Sequence, residues 1–216
     1  MQRMLHCAAV VLFLLILPAV LFAQKNEQLV EVAKLDSTII VDLKYATTDN
    51  FVGEKLYTEA RCFLRASVAR RLIRVQQRLR EMGMGLKIWD GYRPLSVQKR
   101  MWQIVSEPGL VANPYRGGSY HNRGAAVDVT LVDSLGAELE MPTGYDDFSY
   151  KARRSYYGAS EEALKHREIL LQAMTSEGFT PIQSEWWHFN APNARQYPVL
   201  DIPINMLLRN RMAQSE

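Results

Sequence analysis

Apolar residues recur three and four apart through Val68, Leu72, Val75 and Leu79, and this spacing predicts a helix over 66–82, ended by Gly83. A second clear helix is predicted over 160–177, opened by "SEE" and stopped by Gly178. A shorter one over 97–105 follows Pro94. Elsewhere the rhythm shortens. "LKIWDGY" (86–92) and "AAVDVTLV" (125–132) read as strands, and "PIQSEWWHFN" (181–190) as a final strand before a proline-rich tail. Residues 30–45 mix alternating and continuous apolar positions, which predicts strand with a turn at Asp36-Ser37. "TTDNFVGEKLY" (47–57), "SEPGLVANPYRGG" (106–118) and "DSLGAELEMPTGYDDFS" (133–149) carry loop and turn chemistry. A long ordered connection such as the last is more often functional than idle. Strands and helices mix without regular βαβ alternation. The class expected is therefore α+β, one domain with a mostly antiparallel central sheet flanked by helices.

The chain's 216 residues suit one domain with a sizeable core. A net charge of +3 gives no reason to expect nucleic acid, and the basic run Arg70, Arg71, Arg74, Arg78 and Arg80 reads as a solvated helix face. The N-terminus changes the picture more. Arg3 precedes "AAVVLFLLILPAVLFA" (8–23), an uncharged run shorter than the roughly 20 residues of a spanning helix and interrupted by Pro18. This is the pattern of a secretory signal peptide over 1–23, cut after Ala23, with an uncleaved anchor as the alternative. Cys7 lies too early for a lipoprotein cleavage site. The expected mature domain, 24–216, then keeps only Cys62, forms no internal disulfide and retains no membrane span.

Four histidines remain to be sorted. His6 leaves with the leader, and His166, in "LKHRE", is expected on a charged surface. His121 in "SYHNRGAAVD" and His188 in "SEWWHFN" each stand near an acid, which is a metal-site pattern. A zinc hydrolase needs three protein ligands and an open position; two imidazoles and one carboxylate supply that and leave a second carboxylate as base. Asp128, short and fixed on a strand, suits a ligand, and the longer Glu185 suits a base, although spacing alone leaves the division open. H-E-x-x-H is absent.

"SYHNRGAAVD" followed by "EWWH" resembles the S-x-H-x-x-G-x-A-x-D … E-x-x-H signature of the D-Ala-D-Ala dipeptidases, zinc peptidases of family M15. "DLKYATTDNF", "WDGYRP" and "YDDFS" extend the resemblance over about residues 28–205. It implies the fold of the wider D,D-carboxypeptidase and hedgehog-like group. It also implies one zinc ion per chain, held by His121, Asp128 and His188, with Glu185 as general base. Arg93 of "DGYRP" would stabilise the oxyanion, with an ion pair to Asp90 as its structural alternative. Ser119 would receive the substrate carboxylate, Asp146 its free ammonium, and Tyr45 would line the same cavity. Trp186 and Trp187 would position the base and a ligand while excluding water.

The activity implied is hydrolysis of a small D,D-dipeptide, D-alanyl-D-alanine, outside the inner membrane. The leader is a departure from the cytoplasmic members of the family, and it points to recovery of wall-derived dipeptide. Two alternatives stand beside this: a D,D-carboxypeptidase acting on peptidoglycan stem peptides, and a non-catalytic zinc-containing wall-binding module. Stereospecificity and oligomeric state are not written in the sequence.

Overall fold

The computed structural model describes residues 28–105 and 109–207; the leader 1–23, with its expected cut after Ala23, and residues 106–108 of the predicted loop lie outside them. The elements in order are β1 (Leu29–Glu31), β2 (Ile40–Val41), β3 (Phe63–Arg65), α1 (Ala66–Glu81), β4 (Met84–Asp90), α2 (Leu95–Ile104), β5 (Ala126–Asp133), α3 (Glu161–Ser176), β6 (Thr180–Pro181) and β7 (His188–Asn190). The main sheet runs β2-β4-β5-β7-β6, parallel only at β2-β4, and β1 pairs with β3 apart from it. This is the expected α+β domain with a mostly antiparallel sheet. None of the helices described is long and apolar enough to cross a membrane.

Strand β5 organises the domain. Its side chains are buried from Ala126 to Val132 because it lies in mid-sheet with both faces covered. Alternation sends Val127, Val129 and Leu131 to one face. They share a core with Leu72, Val75 and Leu79 of α1 and with Leu170 and Met174 of α3. The opposite face receives Asp128. The outer side of α1 is basic as expected, and it is tied down: Arg74 and Arg78 donate to the Glu177 carboxylate, and Arg71 to the Glu177 carbonyl. Ser160 caps α3 by accepting from the Ala163 N–H at 3.0 Å. Gly83 and Gly178, at φ +72° and +83°, turn the chain out of α1 and α3.

The structure departs from the pattern in five places. Residues 30–45 are not a hairpin: β1 gives way to a short 3-10 turn at Val32–Lys34, and only Ile40 and Val41 pair with β4. Asp36 does form a turn, its carboxylate accepting from the Thr38 N–H and hydroxyl. Strand β3 was not anticipated, and α2 begins at Leu95, right after Pro94, rather than at Val97. The final strand is broken, with 182–187 leaving the sheet between β6 and β7. His166 is buried rather than on the surface. The 138–144 connection folds over the start of α3, so His166 Nδ1 donates to the Glu140 carbonyl at 2.9 Å.

Candidate active site and metal centre

Three strands carry the centre in one row. Asp128 of β5 is opposite Asp90 of β4 on one side and His188 of β7 on the other. His121 comes from a 3-10 turn, Tyr120–Arg123, that the Ser119 hydroxyl caps by accepting from the His121 N–H. Asn122 returns a bond to the Ser119 N–H at 2.7 Å. The turn is fixed to the end of β4 by Arg93 N–H donating to the His121 carbonyl at 3.1 Å. Gly91 lies between them, where a Cβ would meet Cys62 Sγ at 2.5 Å, so only glycine lets the backbone approach that closely.

The ligand atoms of His121, Asp128 and His188 all lie within 4.8 Å of one another, and all three residues are buried. His121 Nδ1 donates to the Gly91 carbonyl at 2.7 Å, which turns the lone pair of Nε2 inward. His188 Nε2 donates to Asn190 Oδ1 at 2.8 Å, which turns Nδ1 inward. Asp128 completes the set, Oδ1 at 2.9 Å from His188 Nδ1 and Oδ2 at 3.3 Å from His121 Nε2. Three electron-pair donors thus converge on one point, and each ring is oriented from behind. Two nitrogens and one oxygen in a compact set fit a divalent ion such as zinc that keeps a position open. Burial works against the charge on Asp128, but the two imidazoles outweigh it and hold its carboxyl well below the usual range. His188 moves the other way: burial would lower its pKa, and the bond and charge of Asp128 raise it.

Around this point the sequence-predicted residues gather. Tyr45, Arg93, Ser119, His121, Asp128, Asp146, Glu185 and His188 all line one cleft of about 570 Å³. Glu185 reaches to 4.0 Å from His188 Nδ1, and burial raises its carboxyl above the usual glutamate range. Arg93 forms the ion pair with Asp90 and also lines the cleft. Its Nε and Nη2 donate to Asp90 Oδ2 at 3.0 and 2.6 Å and Nη1 to Gln98 at 2.9 Å, leaving one N–H on each terminal nitrogen uncommitted among the described residues. Asp90 is itself pinned by the Tyr57 hydroxyl at 2.6 Å and the Gly91 N–H. The Arg93 guanidinium lies 5.0 Å from the centroid of the Tyr45 ring. Asp146 holds a left-handed backbone, φ +56°, and accepts from the Tyr45 hydroxyl at 3.2 Å. Burial, then the nearby Asp128 charge, push its carboxyl up to about 8, with Arg93 pulling back. Such a group gains from meeting a cation.

Some participants escaped the sequence. Tyr145 donates from its hydroxyl to Asp128 Oδ2 at 2.9 Å and lies against Trp89 and Trp187. Asn190 stands two residues past His188, so strand period alone could have found it as the partner on the same face. The two tryptophans do sit at the site. Trp187 lines the cleft, while Trp186, fully buried, packs edge-on to Trp187 and Trp89 and donates to Thr143 at 2.8 Å.

A mixed sheet that holds a converging His–Asp–His set beside a carboxylate in a cleft defines a peptidase of a metal-dependent class. The sequence model of the family described as D-Ala-D-Ala dipeptidase matches residues 25–205, and the chain belongs to that family, peptidase M15. It is 36% identical over 173 residues to the D-alanyl-D-alanine dipeptidase of Escherichia coli K12, covering 80% of this chain and 89% of that one. It is 32% identical to the enzyme of that name from Streptomyces coelicolor, over 73% of this chain and 88% of the relative. With the one from Enterococcus faecalis it shares 29% over 68% and 83%.

Proposed function

We propose that this peptidase is a zinc enzyme that hydrolyses D-alanyl-D-alanine to two D-alanines, with Glu185 as general base. The observation that carries the reading is the pairing, in one cleft, of the His121–Asp128–His188 set and Glu185 with a separate acid, Asp146, backed by Tyr45. A dipeptidase must recognise a free ammonium near the scissile bond, and Asp146 is suited to it. The relatives named above carry that activity in their names.

When bound by His121, Asp128 and His188, zinc supplies Lewis-acid polarisation of the peptide carbonyl and acidifies the attacking water. Glu185 takes a proton from that water as its oxygen bonds to the carbonyl carbon, then delivers it to the departing amine as the C–N bond breaks. The uncommitted N–H groups of Arg93 face the oxygen that gains charge; Asp90 and Gln98 already hold the guanidinium, so little reorganisation is needed. The Ser119 hydroxyl accepts from the His121 N–H and keeps its own hydrogen to donate to the substrate carboxylate. Trp187 and Tyr145 wall the site with apolar surface. We also propose export, on the strength of the leader pattern at 1–23; N-terminal sequencing of the protein from fractionated cells tests it.

A second reading, a D,D-carboxypeptidase acting on stem peptides, has one observation in its favour. The cleft adjoins a basin of about 340 Å³ that also borders Glu185 and is lined by Phe148, Ser149, Tyr150 and Arg153. Release of D-alanine from free D-Ala-D-Ala, free L-Ala-L-Ala and N-acylated D-Ala-D-Ala, with Glu185→Ala alongside, separates the two. Turnover of the free D,D-dipeptide, lost in the variant, supports the dipeptidase. Preference for the acylated peptide overturns it in favour of the carboxypeptidase.

A further inference from the structure

Glu185 lies in the 182–187 segment between β6 and β7, which the Val129 N–H holds at the Trp187 carbonyl and Arg154 holds on both sides of Glu185. Arg154 Nε donates to the Ile182 carbonyl at 2.9 Å, and its Nη2 to the Trp186 carbonyl at 2.7 Å. These two carbonyls flank Glu185 in the chain. The guanidinium also lies 4.6 Å from the centroid of the Phe189 ring, and Phe189 follows His188 directly. Two backbone bonds reinforce the clamp, Arg154 N–H to the Gln183 carbonyl at 3.1 Å and Trp186 N–H to the Ala152 carbonyl at 3.0 Å.

This cation is an expensive way to hold a loop. Among the described residues no carboxylate forms an ion pair with Arg154, and burial, with Arg167 adding repulsion, lowers its pKa to about 10. A methionine would fill similar volume without stranding a charge, but could not reach the carbonyls. A lysine keeps the charge, yet one ammonium is a point donor and cannot copy the fixed fork that spans both. What the fork provides is a fixed distance between Ile182 and Trp186. The bonds of Arg154 go to the carbonyls on either side of Glu185, so its influence runs through the backbone. Proton transfer needs the base within about 2.6–3.2 Å of its partner, and a shift of about 1 Å can cost on the order of 100-fold in rate.

We propose that Arg154 is the positioning residue of the catalytic base: by clamping the carbonyls of Ile182 and Trp186 it holds Glu185 at the distance proton transfer requires, without touching substrate. This rests on the reading of Glu185 as general base.

The test measures kcat and KM for D-Ala-D-Ala, with zinc content and Tm, for Arg154→Met, Arg154→Lys, Glu185→Ala and the double variants of each Arg154 change with Glu185→Ala. The expected result is a kcat lowered about 30- to 100-fold in Arg154→Met and less in Arg154→Lys, with KM and zinc content close to wild type. In the double variants the Arg154 change should cost nothing further, because the base it positions is already gone. If Arg154→Met does not fold, Arg154→Lys and its double variant decide alone. The proposal is overturned if folded Arg154 variants keep wild-type kcat while Tm falls, which is a purely structural role. It is also overturned if the Arg154 and Glu185 effects multiply. If Glu185→Ala itself retains wild-type kcat, the reading of the base fails first, and the proposal falls with it.

Discussion

His121 Nε2 and His188 Nδ1 face each other at 3.1 Å, and each ring has its far nitrogen bonded elsewhere, to the Gly91 carbonyl and to Asn190. Two inward lone pairs beside the Asp128 carboxylate repel unless a proton or a metal ion lies among them. A divalent ion bound there stabilises the folded state by mass action. At a free concentration about 100 times its Kd the gain is about 2.7 kcal/mol, roughly 5–10 °C in Tm for a domain of this size. Chelation is expected to abolish hydrolysis and lower Tm by that order, with zinc restoring both. Calorimetry with and without chelator, alongside an activity assay, checks this.

Asn190 sets which nitrogen of His188 turns inward. Asn190→Ala is expected to weaken zinc binding about 10- to 100-fold while leaving most activity at saturating zinc. A competition titration against a chromogenic chelator reads the affinity. Unchanged affinity would remove Asn190 from the centre.

Tyr145→Phe keeps the ring against Trp89 and Trp187 and removes only the hydroxyl that donates to Asp128. Weaker zinc binding, about 10-fold, is expected with a stability loss of about 1 kcal/mol. Urea unfolding of the metal-free forms isolates the second effect from the first.

Arg93 joins two roles that substitutions can separate. Arg93→Met strands the buried Asp90 charge, and the expected cost is about 3 kcal/mol, at the low end for such a break because Tyr57 and Gly91 still donate to it. Arg93→Lys keeps the charge beside Asp90 but loses the fork. A kcat lowered about 10²- to 10³-fold with modest change in urea midpoint is expected. Near-wild-type kcat in that variant would reduce Arg93 to an ion-pair partner.

Asp146 gives a pH signature. Its carboxyl is pushed up to about 8 in the folded protein, chiefly by burial, against about 3.9 when unfolded. Between those values the folded state binds the extra proton, so stability falls as pH rises through this window. Asp146→Asn cannot titrate, and asparagine tolerates the left-handed backbone at this position. In metal-free protein its Tm advantage over wild type is expected to be small near pH 4 and to grow toward pH 8–9. A flat difference across that range would refute the shift.

The helices were legible because packing and local pattern agreed: Val68, Leu72, Val75 and Leu79 are buried at the spacing that announced them. The two long strands were legible for the same reason. Residues 182–187 were not, because apolar content suggested a strand where Trp186 and Trp187 are buried by aromatic contacts outside the sheet. His166 misled because its neighbours in sequence are charged, while its burial comes from the distant Glu140. The eight candidate residues were named from motifs and the family resemblance, and the structure gathers them in one cleft. Of their supports, Asn190 lay within reach of strand period, whereas Tyr145 and the Gly91 carbonyl depend on contacts across the fold that no local pattern encodes.

The row Asp90–Asp128–His188 crosses three neighbouring strands drawn from distant parts of the chain. No fragment short of the assembled sheet brings these side chains together, and a slip of one residue in β7 would turn His188 to the opposite face. An incomplete chain therefore has no competent coordination set and gains nothing from the ion. On the proposed ligand set, loading would follow folding rather than guide it, and a bound ion would report that the last strand has docked in register.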